Sequence, residues 1–105
     1  MLNGGSPLGA LISADPGALR LPPSRQSGAD PFKLVQQIQR FGSGTAGMPA
    51  LQVTRGLNGE MMINDGVTRA TRIAKLIPGA TIVVEVIDDR PQVSFAHLAR
   101  IRERL

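Results

Sequence analysis

The sequence predicts a small α+β domain in which a mixed sheet of about four strands packs with about three helices. Short runs rich in β-branched residues, bounded by Gly, Pro and Asn, indicate the strands. Amphipathic segments with helix-start signals alternate with these runs, and no internal repeat is present. With 105 residues, of which 42% are hydrophobic, the chain suits one domain with one core.

The N-terminal part predicts a boundary between a leader and the folded domain. Residues 1–17 are rich in Gly, Ser, Pro and Ala, so we expect a flexible leader there and the domain at 18–105. Ala18–Leu21 is predicted to form a short edge strand. It ends at Pro22 and Pro23 because proline lacks the N–H that a strand ladder needs.

The first helix is predicted over Asp30–Phe41. Asp30 is an N-cap residue, and Pro31 stands at the first helical position, where proline is favoured. Gly42 ends the helix. Its apolar residues recur at helical spacing: Leu34, Val35, Ile38 and Phe41.

Two strands and a second helix follow. Leu51–Arg55 and Glu60–Asn64 are predicted to pair as a hairpin because Asn58-Gly59 is a strong turn signal. A helix over Thr68–Ile77 comes next. Its predicted core face consists of Ala70, Ile73, Ala74 and Ile77.

The C-terminal part predicts one more strand and one more helix. Thr81–Ile87 is nearly continuous in apolar character, so we expect the most buried strand of the sheet. After a turn at residues 88–91, Ser94 caps a basic final helix over Phe95–Arg104. Its apolar side consists of Phe95, Leu98 and Ile101.

Composition narrows the classes of function. The formal charge is +4, which favours polyanionic partners, and of the 12 basic residues only Lys33 and Lys75 are lysine. Arginine is the better bidentate partner of phosphate. The absence of Cys excludes disulfides, thiolate zinc sites and cysteine nucleophiles. A single His97 and three Phe argue against a histidine-built metal site and an aromatic platform for single strands.

Nothing in the sequence predicts a membrane partner. No apolar run approaches the roughly 18 residues needed to span a bilayer. The N-terminus lacks a basic region, and Pro7, Gly9 and Pro16 interrupt its apolar residues, so no signal peptide is predicted. We therefore expect a cytoplasmic protein, or a secreted one only if the chain is the detached end of a longer toxin.

The stretch Asp65–Arg72 is the predicted functional site. A strand leads through Gly66 into a helix, whose first N–H groups are unpaired and favour an anion. Gly66 lets a ligand approach the backbone, and Thr68 either caps the helix or donates to a phosphate oxygen. Arg69, at the margin of the core face, and Arg72, on the polar side, are placed to reach the same anion. A purely structural turn with solvated arginines is the alternative.

Several motifs resemble those of a known family. They are Leu21-Pro22-Pro23-Ser24-Arg25, a helix ending in Phe41-Gly42, Met48-Pro49 before a strand, Asp65-Gly66-Val67-Thr68-Arg69-Ala70, and the strand Val83–Ile87. Together with the order of elements from about Ala18 to Asp89, they resemble the ParB-like nuclease domain, in the superfamily of ParB N-terminal domains and sulfiredoxin. The resemblance implies that Gly66 and Arg69 belong to a Gly-x-x-Arg box that binds nucleotide phosphates. It also implies that Arg25 joins the anion pocket, although a surface role is equally open.

The sequence departs from this family at two points. ParB partition proteins carry Glu-Arg inside the box, where this chain has Val67-Thr68. Sulfiredoxin carries a Cys in the box, and because this chain has none, sulfinic-acid reduction is ruled out. The fold and phosphate binding carry over better than nuclease activity does.

Two functions remain as hypotheses. In the first, the site binds a nucleoside triphosphate or DNA and hydrolyses it as a nuclease or nucleotide hydrolase. Arg69 would then neutralise phosphoryl charge, and Asp65 would carry Mg²⁺ or orient water. In the second, a non-enzymatic module senses a nucleotide or docks on DNA or a protein, which the lack of a nucleophile favours.

Three weaker candidates lie outside this stretch. Asp88-Asp89 is either half a metal site or a turn, and the basic C-terminus is either a nucleic-acid contact or a solvated helix face. His97 is interpreted as a partly exposed packing residue.

Overall fold

The computed structural model describes residues 8–105, which contain a mixed four-stranded sheet and two α-helices. The strands are β1 (Leu11–Ala14), β2 (Leu51–Arg55), β3 (Met61–Asp65) and β4 (Ile82–Asp89). The helices are α1 (Pro31–Phe41) and α2 (Val67–Leu76). The predicted α+β class and mixed sheet are confirmed, and both α-helices start within one residue of their predicted positions.

The strands lie in the order β1-β4-β2-β3. β4 is parallel to β2 and antiparallel to β1, whereas β2 and β3 form the predicted antiparallel hairpin. In the hairpin loop Asn58 and Gly59 have φ values of 61° and 78°. These left-handed conformations are the ones that an Asn-Gly turn supplies at low cost.

The hydrophobic core lies on one side of the sheet. In β4 the buried residues Ile82, Val84 and Val86 alternate with Val83 and Ile87, which are 45% and 39% exposed. The prediction that this strand would be the most buried is therefore corrected: β4 is central in the sheet, but one of its faces is open. The nearly continuous apolar sequence of β4 does not indicate that the core covers only one of its two faces. Other core residues are Leu51, Val53, Ile63, Ala70, Ile73 and Ile101.

The predicted leader is wrong for residues 8–17. Leu11–Ala14 forms β1, which pairs with residues 82–85 of β4, and Ala14, Pro16 and Gly17 are buried. The four-residue strand is not evident from the Gly- and Pro-rich composition. It is stabilised by pairing with the edge of β4 and not by its own β propensity. The first seven residues of the predicted leader lie outside the described residues.

The predicted edge strand Ala18–Leu21 is reduced to single bridges at Arg20. Ala18 ends a 3₁₀ turn that starts at Pro16, and Asp15 caps that turn. Arg20 then bridges Met62 on one side and Arg100 on the other. The prolines on both sides of the segment prevent a longer ladder.

The predicted final helix over Phe95–Arg104 is wrong, since only Ile101–Arg104 is helical and it is a 3₁₀ turn. Part of the backbone here bonds to the segment after β1 instead of continuing a helix. Leu21 N–H donates to the Ala99 carbonyl at 2.8 Å, and Ile101 N–H donates to the Leu19 carbonyl at 3.0 Å. Phe95, Leu98 and Ile101 are nevertheless buried, as their apolar spacing predicts. No helix between residues 8 and 105 is long and apolar enough to cross a membrane.

Candidate functional site

The start of α2 opens onto a cleft of about 420 Å³, here named the α2 cleft. Three separate parts of the chain line it: the 3₁₀ turn Pro23–Arg25, the first turns of α1, and the connection from β3 to α2. Its polar lining includes Arg25, Asp30, Lys33, Asp65, Thr68 and Arg69. Three cationic side chains therefore share the cleft with two carboxylates.

Gly66 forms the N-cap of α2 in a left-handed conformation, with φ 115° and ψ 20°. Among the described residues no side chain caps this helix start, so capping, the first of the two roles predicted for Thr68, is wrong. Thr68 lies in the first turn and lines the cleft. The first N–H groups of a helix have no intrahelical partner and attract negative charge, so this helix start can accept an anion from the cleft.

The turn at Gly66 packs tightly against β2. A Cβ atom at this position would lie 2.5 Å from Leu51 Cγ and 3.1 Å from Arg69 Nη2. Glycine is therefore required for space as well as for its positive φ. The same packing holds the first turn of α2 in one place relative to the sheet.

Arg69 and Asp65, the two predicted catalytic residues, are bonded to each other. Arg69 Nη2 lies 2.9 Å from Asp65 Oδ2, and Arg69 Nη1 donates to the Pro49 carbonyl at 3.0 Å. The Arg69 side chain is 17% exposed and that of Asp65 is 70% exposed. Any anion that binds Arg69, and any metal ion that binds Asp65, must therefore compete with this ion pair.

Arg72 does not line the α2 cleft, which corrects the prediction that its guanidinium group reaches an anion at the start of α2. Its side chain is 1% exposed, and its Nη1 donates to the carbonyls of Gly42 and Gly44, each at 2.8 Å. Its guanidinium carbon lies 5.3 Å from the centroid of the Phe41 ring. Burial lowers the pKa of Arg72. The polar side of α2 is the side against which α1 and its following loop pack.

Arg25 and Lys33 both line the α2 cleft, and of these two side chains sequence reasoning missed Lys33. Lys33 sits in the first turn of α1, and only the packing of α1 beside α2 brings it to the cleft. Asp30 is occupied as the helix cap, accepting from the N–H of Phe32 at 2.9 Å and of Lys33 at 3.3 Å. Asp30 is bonded to the backbone of α1 and Asp65 to Arg69. Because neither carboxylate pairs with Arg25 or Lys33, these two cations can contact a ligand.

The two adjacent acids at the end of β4 are engaged in ion pairs. Asp88 accepts from Arg90 Nε at 2.8 Å, and this hydrogen bond lowers the pKa of Asp88. Asp89 Oδ2 lies 3.0 Å from Arg55 Nη2. Within residues 8–105, no group of three or more His, Cys, Asp and Glu side chains is arranged to hold a metal ion.

The basic C-terminal segment is tied to the rest of the protein. Arg102 pairs with Asp15 at 2.7 Å, Arg104 Nε donates to the Gln26 carbonyl at 2.8 Å, and Arg100 pairs with Glu103 at 3.3 Å. His97 is exposed. These bonds give the arginines a structural role in anchoring the segment.

Comparisons of the chain with protein-family models, with curated proteins and with solved structures found no match. The geometry of the α2 cleft and its charges are therefore the basis on which a function can be assigned.

Proposed function

We propose that the protein binds a phosphate-bearing ligand, a nucleotide or a nucleic-acid phosphate, in the α2 cleft. One observation carries the proposal: the uncapped start of α2 opens onto a cleft shared by Arg25, Lys33 and Arg69. A helix start offers backbone donors to phosphate oxygens, and arginine adds planar, bidentate donors. The Gly-x-x-Arg box of the ParB-like resemblance, matched by Gly66 and Arg69, supports the same proposal.

The partners of Arg69 define how a phosphate would bind. The guanidinium group donates one hydrogen bond to the Pro49 carbonyl and another to Asp65, whose side chain is mostly exposed. The terminal phosphate of a nucleotide bears more negative charge than a carboxylate, so it can displace Asp65 from Arg69 Nη2. Arg25 and Lys33 then supply further positive charge from the opposite wall of the cleft.

Binding is tested by calorimetric titration of CTP, ATP, GTP and a short DNA duplex, with and without Mg²⁺. At about 100 times the dissociation constant, the bound ligand should also add roughly 2.7 kcal/mol of stability, seen as a raised melting temperature. Arg69→Ala should weaken binding about tenfold or more, because a charge-assisted hydrogen bond is lost. Arg25→Ala removes a charge from the cleft at an exposed position and is expected to weaken binding without affecting folding.

Arg90→Ala is the matched control, since Arg90 is exposed in the turn after β4 and lies outside the cleft. It removes the same charge and should leave affinity unchanged. Equal losses in Arg90→Ala and Arg69→Ala would mean that net charge, and not this cleft, attracts the ligand. Absence of binding by all four ligands would refute the proposed function.

The proposal extends to hydrolysis of the bound ligand. In that reaction Asp65 would bind Mg²⁺, and Arg69 would neutralise the charge on the phosphoryl group. Asp65→Asn separates the two roles of Asp65. Without Mg²⁺ the variant should bind nucleotide more tightly, because Arg69 loses its competing carboxylate. With Mg²⁺, a catalytic Asp65 predicts that phosphate release, measured over time, is lost in the variant. If wild-type protein and variant both release no phosphate, the site binds without turning over, as expected of a non-enzymatic sensing module.

A further inference from the structure

A second cleft, of about 440 Å³, adjoins the α2 cleft; we name it the Phe41 pocket. It lies between the C-terminal end of α1, the following loop and the start of β2. The two clefts share the side chains of Gln37, Asp65 and Arg69. The Arg69–Asp65 ion pair therefore borders both clefts, and a ligand bound at Arg69 can extend into either.

The two clefts differ in chemical character. The α2 cleft is lined mainly by charged and polar groups, whereas the lining of the Phe41 pocket combines polar groups with the apolar side chains of Phe41, Met48 and Pro49. Phe41, in the last turn of α1, is 46% exposed. Gln37 and Gln52 supply amide donors and acceptors at the pocket wall. Apolar walls with a few amides fit an uncharged ring system that carries hydrogen-bonding groups on its edge.

Arg72 gives the Phe41 pocket a fixed shape. Its two short bonds to the carbonyls of Gly42 and Gly44 hold the loop after α1, and its Nη2 lies 3.6 Å from the sulfur of Met48. In the described chain, no carboxylate pairs with this buried guanidinium group. Its charge therefore adds to the positive potential at the junction with the α2 cleft.

We infer that the two clefts form one bipartite nucleotide site, with the phosphates in the α2 cleft and the base in the Phe41 pocket. This inference rests on the proposed function and narrows it from any phosphate to a ligand with a free base. Each cleft falls in the range of about 300–1,000 Å³ that ligand pockets usually occupy. A base paired in a duplex cannot enter the pocket without leaving its stack, and this unstacking cost favours a free nucleotide.

The experiment dissects the ligand by calorimetric titration. Tripolyphosphate probes the α2 cleft alone, the nucleosides cytidine, adenosine and guanosine probe the Phe41 pocket alone, and the corresponding triphosphates probe both. We expect one triphosphate to bind about tenfold more tightly than tripolyphosphate, since burial of a base against an aromatic side chain is worth that much.

Phe41→Ala should abolish this tenfold gain while tripolyphosphate binding stays unchanged, which also shows that the α2 cleft is still folded. Phe32→Ala is the matched control, because Phe32 is 71% exposed on the same helix and lines neither cleft. It should change neither affinity. Gln52→Ala alters the pocket from β2 and leaves every bond of Arg72 in place, so it should reduce nucleotide affinity alone.

The outcomes separate the inference from the proposed function. If every triphosphate binds no better than tripolyphosphate and the Phe41 and Gln52 variants match wild type, the base pocket is refuted and phosphate binding stands. If a DNA duplex binds more tightly than every triphosphate, the inference is refuted in favour of a nucleic-acid site. If tripolyphosphate and all triphosphates fail to bind, the proposed function itself fails.

Discussion

The guanidinium group of Arg72 belongs to the largest fully buried side chain of the described protein. Its charge is stabilised by two backbone carbonyls, by Gln37 Oε1 at 3.3 Å and by the face of Phe41, and these bonds tie α2 to the loop after α1. A charge dispersed over neutral acceptors in this way costs less to bury than an unpaired one. Arg72 therefore acts as a structural cross-link, although its position in the sequence suggests a ligand-binding role.

Arg72→Ala should lower the free energy of unfolding by about 2–4 kcal/mol, because a cavity forms and the carbonyls of Gly42 and Gly44 lose their donor. Arg40→Ala is the control, since the Arg40 guanidinium also lies 5.3 Å from the Phe41 ring but is exposed. It should change stability by about 0.5 kcal/mol or less. Urea unfolding followed by circular dichroism measures both, and equal costs for the two variants would contradict the cross-link.

Gly66→Ala should destabilise the protein by about 2–5 kcal/mol, from the left-handed backbone strain together with the clash of the new Cβ with Leu51. Gly79→Ala isolates the strain, because Gly79 has φ 89° and a Cβ at this position would meet no atom of the described chain within 4 Å. That variant should cost about 1–2 kcal/mol. Thermal unfolding of the two variants gives the comparison, and a smaller loss for Gly66→Ala would show that β2 gives way easily.

At the scale of elements, local signals account for the parts that sequence reasoning placed well. Asp30 and Pro31 start α1 because the cap bonds lie within a few residues, and Asn58-Gly59 sets the hairpin for a similar reason. β1 has no such local signal, and the cap signal at Ser94 in the C-terminal segment does not start an α-helix. Their hydrogen bonds go to β4 and to residues 19–21, which are distant in sequence.

The C-terminal segment is an integral part of the fold even though it is not an α-helix. Ile101 is 1% exposed in the core, while Leu105 is 52% exposed. Ile101→Ala should therefore cost about 2–4 kcal/mol of stability, whereas Leu105→Ala should cost about 0.5 kcal/mol or less. Chemical denaturation of both variants checks the expectation. A negligible effect of Ile101→Ala would mean that the segment detaches without disturbing the core.

At the scale of the whole molecule, the lowered pKa values of Glu103 and Asp88 contribute to the dependence of stability on acid. The Arg100 N–H holds the pKa of Glu103 below its ordinary value, and the bond from Arg90 does the same for Asp88. A group whose pKa is lower in the folded state stabilises the fold above its unfolded-state pKa. That contribution is lost as the pH falls through the folded-state pKa.

Glu103→Gln should therefore be less stable than wild type at neutral pH, and the difference should shrink as the pH falls through the folded-state pKa of Glu103. Thermal unfolding of both proteins across the acid range measures this difference. NMR titration of the Glu103 carboxyl gives its folded-state pKa directly. A difference that stays constant down to the lowest pH would show that the charge of Glu103 plays no part.

Some features of the candidate site follow from local sequence and others from tertiary packing, as is also true of the fold. The sequence alone determined the helix start at Gly66, the Gly66–Arg69 spacing, and the two helices with the hairpin between β2 and β3, because each depends on neighbours within a few residues. Only the tertiary structure decided that Lys33 enters the α2 cleft, that Arg72 lies outside it, and that β1 completes the sheet. These outcomes depend on which surfaces pack together, and the free energy of that packing is spread over residues far apart in the chain.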